Sequence, residues 1–292
     1  MNSTSDTLRN PSKIKRVIAI LSGKGGVGKS MVTSILATNL MREGHTVGIL
    51  DADITGPSIP KIFGQSNKRC TGLDGRFVPV LTDTGIKSIS SNLMLEHETD
   101  PVLWRGPIVG SAIKQFWEQT LWGDVDYLLI DMPPGTGDVA LTVFQSIPVD
   151  GIVIVTSPQD LVSMIVAKAV NMANKMSIPI LGVIENMSYL VCPDCGKQIA
   201  LFGKSKLDQV APNYHVDILD RMPINPSLAT LCDEGRLDTA LPQHLLEGAL
   251  AACMTIPPHD VTDSLYSLTC IAHGGCSTCS KADHCPSAHK IK

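Results

Sequence analysis

The run Gly23-Lys24-Gly25-Gly26-Val27-Gly28-Lys29-Ser30 satisfies the pattern G-x-x-x-x-G-K-[ST], with Gly23, Gly28, Lys29 and Ser30 in its fixed places. Glycines so spaced let the backbone curl until successive N–H groups point inward at phosphate oxygens. A helix starting directly after the loop adds its positive end. Lys29 then neutralises the β- and γ-phosphates, and the Ser30 hydroxyl ligates Mg²⁺. The chemistry indicated is the binding of a nucleotide's β- and γ-phosphates with Mg²⁺. Acidic residues stand where that chemistry needs them. Asp131 ends the apolar run YLLI and is the candidate carboxylate behind the metal; Asp51 and Asp53 follow a second apolar run. Asp51 either shapes the turn or joins the metal shell. Gly135, just past Asp131, is a candidate to offer its N–H to the γ-phosphate.

Sulfur is the second source of chemistry. Of nine cysteines, five fall into two close sets, Cys192/Cys195 and Cys276/Cys279/Cys285. In a reducing compartment such sets read as metal ligands rather than disulfides. Two thiolates at C-x-x-C spacing grip one edge of a metal, whereas iron–sulfur clusters and structural zinc take four ligands. One chain therefore supplies half a site at Cys192/Cys195, and a symmetric homodimer is the simplest completion. Cys-Pro-x-Cys-Gly is also half of a zinc ribbon, so zinc stands beside iron–sulfur here. The tail set has Cys270, His273, His284 or His289 as its further ligand, and iron–sulfur and zinc fit it alike. Cys70, Cys232 and Cys253 read as small buried hydrophobes. His45, His97, His215, His244 and His259 read as ordinary surface or turn residues.

These groups need a scaffold. Val17–Leu21, Thr46–Leu50, Tyr127–Asp131, Ile152–Thr156 and Ile180–Ile184 are strand-length apolar runs with little polar alternation, which suits a parallel sheet covered on both faces. Between them Met31, Ile35, Leu36 and Leu40 recur at helical spacing, as do Leu161, Ile165, Ala169 and Met172. The pattern predicts a doubly wound α/β fold with a mainly parallel sheet. Residues 55–125 predict loops, a short hairpin and a helix around Ile113–Trp122. The expected organisation is a flexible start (1–14), one domain (15–260) and a Cys-rich tail (261–292).

The 292 residues are 43% hydrophobic, enough for one sizeable core. With 24 basic and 28 acidic side chains the net charge is −4, which lacks the basic footprint of a nucleic-acid binder. No apolar run approaches the roughly 20 residues of a membrane span. The opening MNSTSDTLRN has no apolar signal core. The expectation is a cytoplasmic protein with no nucleic-acid and no membrane partner.

Lys24, a second lysine inside the loop, resembles the deviant Walker A signature of the MinD/ParA, nitrogenase iron-protein and Mrp ATPases. That resemblance implies that Lys24 reaches the nucleotide of a partner subunit and that Asp53 orients the attacking water. It also implies that Asn186 reads the adenine edge. Longer blocks narrow the likeness: VGILDADITGPSIP (Val47–Pro60), LWRGPIVGSAIKQF (Leu103–Phe116), YLLIDMPPGTGDVALT (Tyr127–Thr142), TSPQD (Thr156–Asp160) and GVIENMSYLVCPDCG (Gly182–Gly196). Across roughly residues 12–255 the chain resembles the Mrp/ApbC family of iron–sulfur cluster carriers, with Thr55 standing where that family has an aromatic residue. The resemblance implies a P-loop NTPase fold and a homodimer bridged at Cys192/Cys195 by a 4Fe-4S cluster that is passed to apo iron–sulfur proteins. Two rivals are a zinc-clasped client-targeting ATPase and a positioning ATPase of the MinD/ParA type.

Overall fold

The computed structural model describes residues 12–54, 56–94, 106–158 and 162–258. Expectations for residues 1–11, Thr55, His97, the start of the Leu103–Phe116 block, Gln159, Asp160 and Leu161 lie outside the described residues. So do those for His259, Cys270, His273, Cys276, Cys279, His284, Cys285 and His289.

Nine strands form one sheet: β1 (Val17–Ser22), β2 (Val47–Asp51), β3 (Val80–Leu81), β4 (Lys87–Ile89), β5 (Tyr127–Asp131), β6 (Gly151–Thr156), β7 (Ile180–Val191), β8 (Gln198–Ile199) and β9 (Ile218–Pro223). Their order is β8-β7-β6-β1-β5-β2-β4-β3, with β9 also paired to β7. All pairings are parallel except β7–β8 and β3–β4, the antiparallel edges. Among the described residues six helices of eight residues or more pack on it: α1 (Lys29–Arg42), α2 (Gly106–Gln119), α3 (Asp138–Ser146), α4 (Val162–Met176), α5 (Pro226–Asp233) and α6 (Glu247–Met254). The mainly parallel, doubly wound sheet predicted from the apolar runs is the fold observed.

The near-absence of polar alternation has its cause in two cores, one per face. In β1, Val17, Ala19 and Leu21 face the layer of α2, α3 and α4, while Ile18 and Ile20 face that of α1, α5 and α6. Helix α1 buries three hydroxyls without orphaning them: Ser34 and Thr38 donate back to the carbonyl four residues earlier, and Thr33, close to such a carbonyl, gives its proton to the Asp131 carboxylate. The two back-bonds are Ser34 to Ser30 and Thr38 to Ser34, each at 2.8 Å. From β1 the chain crosses to β2, whereas from β5 it crosses to β6 on the other side of β1. The loop after β1 thus sits at the topological switch point, where open parallel sheets bind ligands.

Two boundaries differ from expectation. Lys13–Ile14, placed in the flexible start, pairs in parallel with Asp124–Val125, and Ile14 is buried. The predicted helix around Ile113–Trp122 runs instead over Gly106–Gln119, and Trp122 lies beyond it, fully buried against the sheet. The expected hairpin is present as Thr71–Leu73 against Arg76–Val78.

Asp126, at the start of β5, ties three segments. It accepts from Lys15 Nζ at 2.7 Å and from the Thr46 N–H and hydroxyl, each at 2.8 Å. Burial opposes its charge, but Lys15 and Thr46 outweigh it and hold the carboxyl down at about 2. The folded pKa lies below the unfolded one, so this stabilisation is complete above about pH 4 and fades as pH falls towards 2. Asp126→Asn is expected to remove about 1 kcal/mol near neutral pH, discounted for solvent screening, and almost nothing near pH 2. Urea titrations of both chains over that range check it.

Candidate functional site: a phosphate loop and a cysteine hairpin

The loop between β1 and α1 depends on glycine at two places. A Cβ on Gly23 would lie 2.2 Å from Ile165 of α4, so the chain passes that helix only without a side chain. Gly28 is left-handed at φ +80°, and a Cβ there would lie 2.3 Å from the Asn186 amide. Gly28 precedes Lys29, the first residue of α1, so the helix opens on the loop with its N-terminal N–H groups.

Behind the loop, three residues meet at Asp131. Ser30 Oγ donates to Oδ2 at 2.5 Å, Thr33 Oγ1 to Oδ1 at 2.8 Å, and Lys29 Nζ lies 2.8 Å from Oδ1. Asp131 is fully buried and Lys29 nearly so. Asp51 lies beside Asp131 across the β2–β5 pairing and accepts from Ser90 Oγ at 3.0 Å. Burial first, and the Asp131 carboxylate second, push Asp51 up to about 8 against the pull of Lys29 and Ser90. Two carboxyls therefore share this pocket with one of them holding its proton near neutrality.

A cleft of about 400 Å³ opens over the loop, a size suited to a nucleotide. Lys24, Gly25, Gly26, Val27, Gly28, Lys29 and Ser30 form its floor. Asp53, Gly56 and Ser58 line one wall, and Ala229, Cys232 and Asp233 of α5 the other. Lys61 bonds Asp233 at 2.7 Å, joining the short helix Ile59–Ile62 to α5. Burial and then Asp233 push the Cys232 thiol up to about 11. Cys253 is wholly buried, as a small hydrophobe should be, and burial pushes it up to about 12.

The residues fit Mg²⁺ in the manner usual for phosphate sites. One hydroxyl, Ser30, is backed by a carboxylate, and no group of three or more His, Cys, Asp or Glu ligands gathers among the described residues. Such a metal takes its other positions from phosphate oxygens and water.

Two expected contacts take another form. The Gly135 N–H, expected to face the γ-phosphate, donates to the Ser22 carbonyl at 2.8 Å, because the left-handed turn at Gly135 folds the segment back on the end of β1. Asn186, expected at an adenine edge, is buried with its amide on the Val27 carbonyl at 2.9 Å. Thr33 and Ser90 hold the carboxylates without having been singled out. Thr33 had a signal, since it lies three residues after Ser30 on the same helix face.

The cysteine pair sits at the far end of β7. Strands β7 and β8 pair through Leu190 with Ile199 and Val191 with Gln198, and Cys192 to Gly196 make the turn. Cys192 N–H donates to Lys197 O and Gly196 N–H to Cys192 O, both at 2.9 Å. The N–H groups of Cys195 and Asp194, with the Cys195 thiol, hold the Cys192 thiol below its ordinary range. Cys195 is exposed and Cys192 half-buried, and both are free thiols. Val191, Ile199, Leu201 and Phe202 stand exposed around the turn.

The family model described as ParA: NUBPL iron-transfer P-loop NTPase matches residues 13–254. The chain belongs to this family. An iron-sulfur cluster carrier protein of Clostridium perfringens is 49% identical over 236 residues, 78% of this chain and 83% of that one. One from Methanocaldococcus jannaschii is 48% identical over 227 residues, 77% and 78% of the two chains. One from Escherichia coli is 44% identical over 222 residues, 76% of this chain and 60% of its own. Among solved structures, the nucleotide-binding protein of Archaeoglobus fulgidus in complex with ADP superposes with a TM-score of 0.71 at 41% identity, covering 80% of this chain and 94% of that one. The cell division ATPase MinD of Pyrococcus furiosus, at 20% identity and a TM-score of 0.53 over 82% and 97% of the chains, shares the fold. The chain thus has its glycine-rich loop at the sheet's switch point and its paired thiols in the turn beyond a strand of the same sheet.

Proposed function

We propose that the chain is an ATP-hydrolysing carrier that holds an iron–sulfur cluster between two copies of itself and delivers it to apo iron–sulfur proteins of the cytoplasm. The observation that carries the reading is the pair Cys192/Cys195: two free thiols at an exposed hairpin turn, with no third ligand gathered beside them among the described residues. Two such pairs facing each other across a two-fold axis make four thiolates, the number a 4Fe-4S cluster takes. The exposed Val191, Ile199, Leu201 and Phe202 support a second copy there, since clustered apolar surface marks a contact. The names of the relatives agree with this cargo.

In this reading ATP lies on Gly23–Ser30, with Lys29 on its β- and γ-phosphates. Lys24, at the cleft floor, crosses to the partner's nucleotide, so charge stabilisation waits on dimer closure. Asp53, on the cleft wall, orients the attacking water. Mg²⁺ bound at Ser30, with Asp131 behind it and Asp51 nearby, supplies Lewis-acid charge to the phosphates. Hydrolysis relaxes the dimer and loosens the cluster. The tail cysteines Cys276, Cys279 and Cys285, with Cys270 or a neighbouring histidine, are proposed as a second metal site.

The test is anaerobic reconstitution of the full chain, followed by iron, sulfide and zinc analysis, sizing, and transfer to an apo-ferredoxin with and without Mg-ATP. A two-chain particle with about two irons and two sulfides per chain at this pair, and transfer that responds to ATP, is expected. Zinc without sulfide at the pair, or a single subunit holding a complete cluster there, overturns the reading.

A further inference from the structure

The strand that carries the thiols also touches the phosphate loop, and the residue that touches is Asn186. Its Nδ2 donates to the Val27 carbonyl at 2.9 Å, and its Oδ1 accepts the Met187 N–H at 2.9 Å. It is 1% exposed, so water does not compete for either bond. A trans peptide points its C=O and its N–H in opposite directions. With the Val27 carbonyl drawn to Asn186, the same peptide turns the Gly28 N–H away from Asn186, and Gly28 lines the cleft.

The other side of Asn186 leads to the thiols. Met187 is left-handed at φ +56°, a conformation costing a side-chain-bearing residue about 1–2 kcal/mol, and its N–H is held by Asn186. At this point the pairing of β7 with β9 is interrupted, between Glu185 and Tyr189. The kink is clamped on both flanks. The buried Glu185 carboxylate accepts from Ser188 at 2.6 Å, from the Ser205 hydroxyl, and from Arg221 Nε at 3.3 Å. Beyond the clamp the strand runs on to Cys192, six residues from Asn186, at most roughly 20 Å of extended chain.

We propose that Asn186 is a positioning residue that couples phosphate binding on the loop to the setting of Cys192 and Cys195. A phosphate oxygen taken by the Gly28 N–H polarises the Val27–Gly28 peptide, and a polarised carbonyl accepts more strongly from Asn186. The Asn186 bond in turn holds the turn at Met187, from which the cysteine arm projects. By reciprocity, fixing the arm through a cluster or a second subunit changes the loop's hold on phosphate. The inference takes from the carrier reading only what the thiols hold; the linkage itself stands on this chain's hydrogen bonds.

The experiment uses the full chain, reduced and free of metal. Alkylation rates at Cys192 and Cys195 are followed by peptide mass mapping, alone and with saturating ADP or saturating inorganic tripolyphosphate, each shown to be bound by its shift of the melting temperature. In the wild type both ligands are expected to change the rates in the same direction by about fivefold or more. In Asn186→Ala that ratio falls to about one even at saturating ADP. Asn186→Asp, which keeps the size and the acceptor for Met187 but loses the donor to Val27, falls likewise. A purely structural role would lower the melting temperature and leave the ratio at saturation intact, and that result overturns the proposal. So does a wild-type ratio of one. A response to ADP with none to bound tripolyphosphate also overturns it and assigns Asn186 to the base. If Asn186→Ala does not fold, the isosteric Asn186→Asp carries the test. Since no iron is involved, failure of the carrier reading on metal content would be seen separately.

Discussion

Lys29→Ala lowers ATP turnover by at least about a hundredfold, the scale of losing a principal donor to developing charge in a closed site. The same change destabilises the nucleotide-free chain by about 3 kcal/mol, because it removes the cation 2.8 Å from a fully buried carboxylate. The loss sits at the low end of the range for broken buried pairs, since Ser30 and Thr33 still donate to Asp131. The two effects have separate readouts: phosphate release under saturating ATP, and urea unfolding without nucleotide. Turnover within tenfold of wild type would remove Lys29 from the phosphates, whatever became of stability.

The Cys192→Ala, Cys195→Ala double variant behaves in the opposite way. Its thiols sit at an exposed hairpin turn outside both cores, so unfolding should shift by no more than about 0.5 kcal/mol. Reconstituted in parallel with the wild type, it is expected to lose about two irons and two sulfides per chain, with any metal in the tail unchanged. ATP still binds, because the loop is intact. The difference in iron between the two chains isolates this pair from Cys276, Cys279 and Cys285. Equal iron in both would move the cargo elsewhere.

How much of this could be read beforehand follows from the range of the forces involved. The five central strands of the sheet were legible because two covered faces leave no polar alternation, and Val17 to Leu21 divide between both cores; the short edge strands β3, β4 and β8, and β9, carry no such run. The phosphate loop was legible because its pattern is local: glycines, a lysine and a hydroxyl in eight consecutive residues. Strand β7 was expected to stop at Ile184 and instead runs to Val191. Glu185, Asn186 and Ser188 look like an ending, and they continue a strand only because distant groups satisfy them: Arg221, Ser205 and the Val27 carbonyl. The Gly135 N–H likewise has a partner that its motif does not name, a carbonyl at the end of another strand. Motif spacing names the groups; it does not say which of them a remote part of the chain already engages.

The arm bearing the thiols is the outer part of β7, beyond the interrupted pairing at Met187, and it is paired there to β8. Side chains alternate along the regular stretch Tyr189–Val191, so one residue inserted there would swing both sulfurs to the opposite side. Two inserted residues would restore their direction and merely extend the reach.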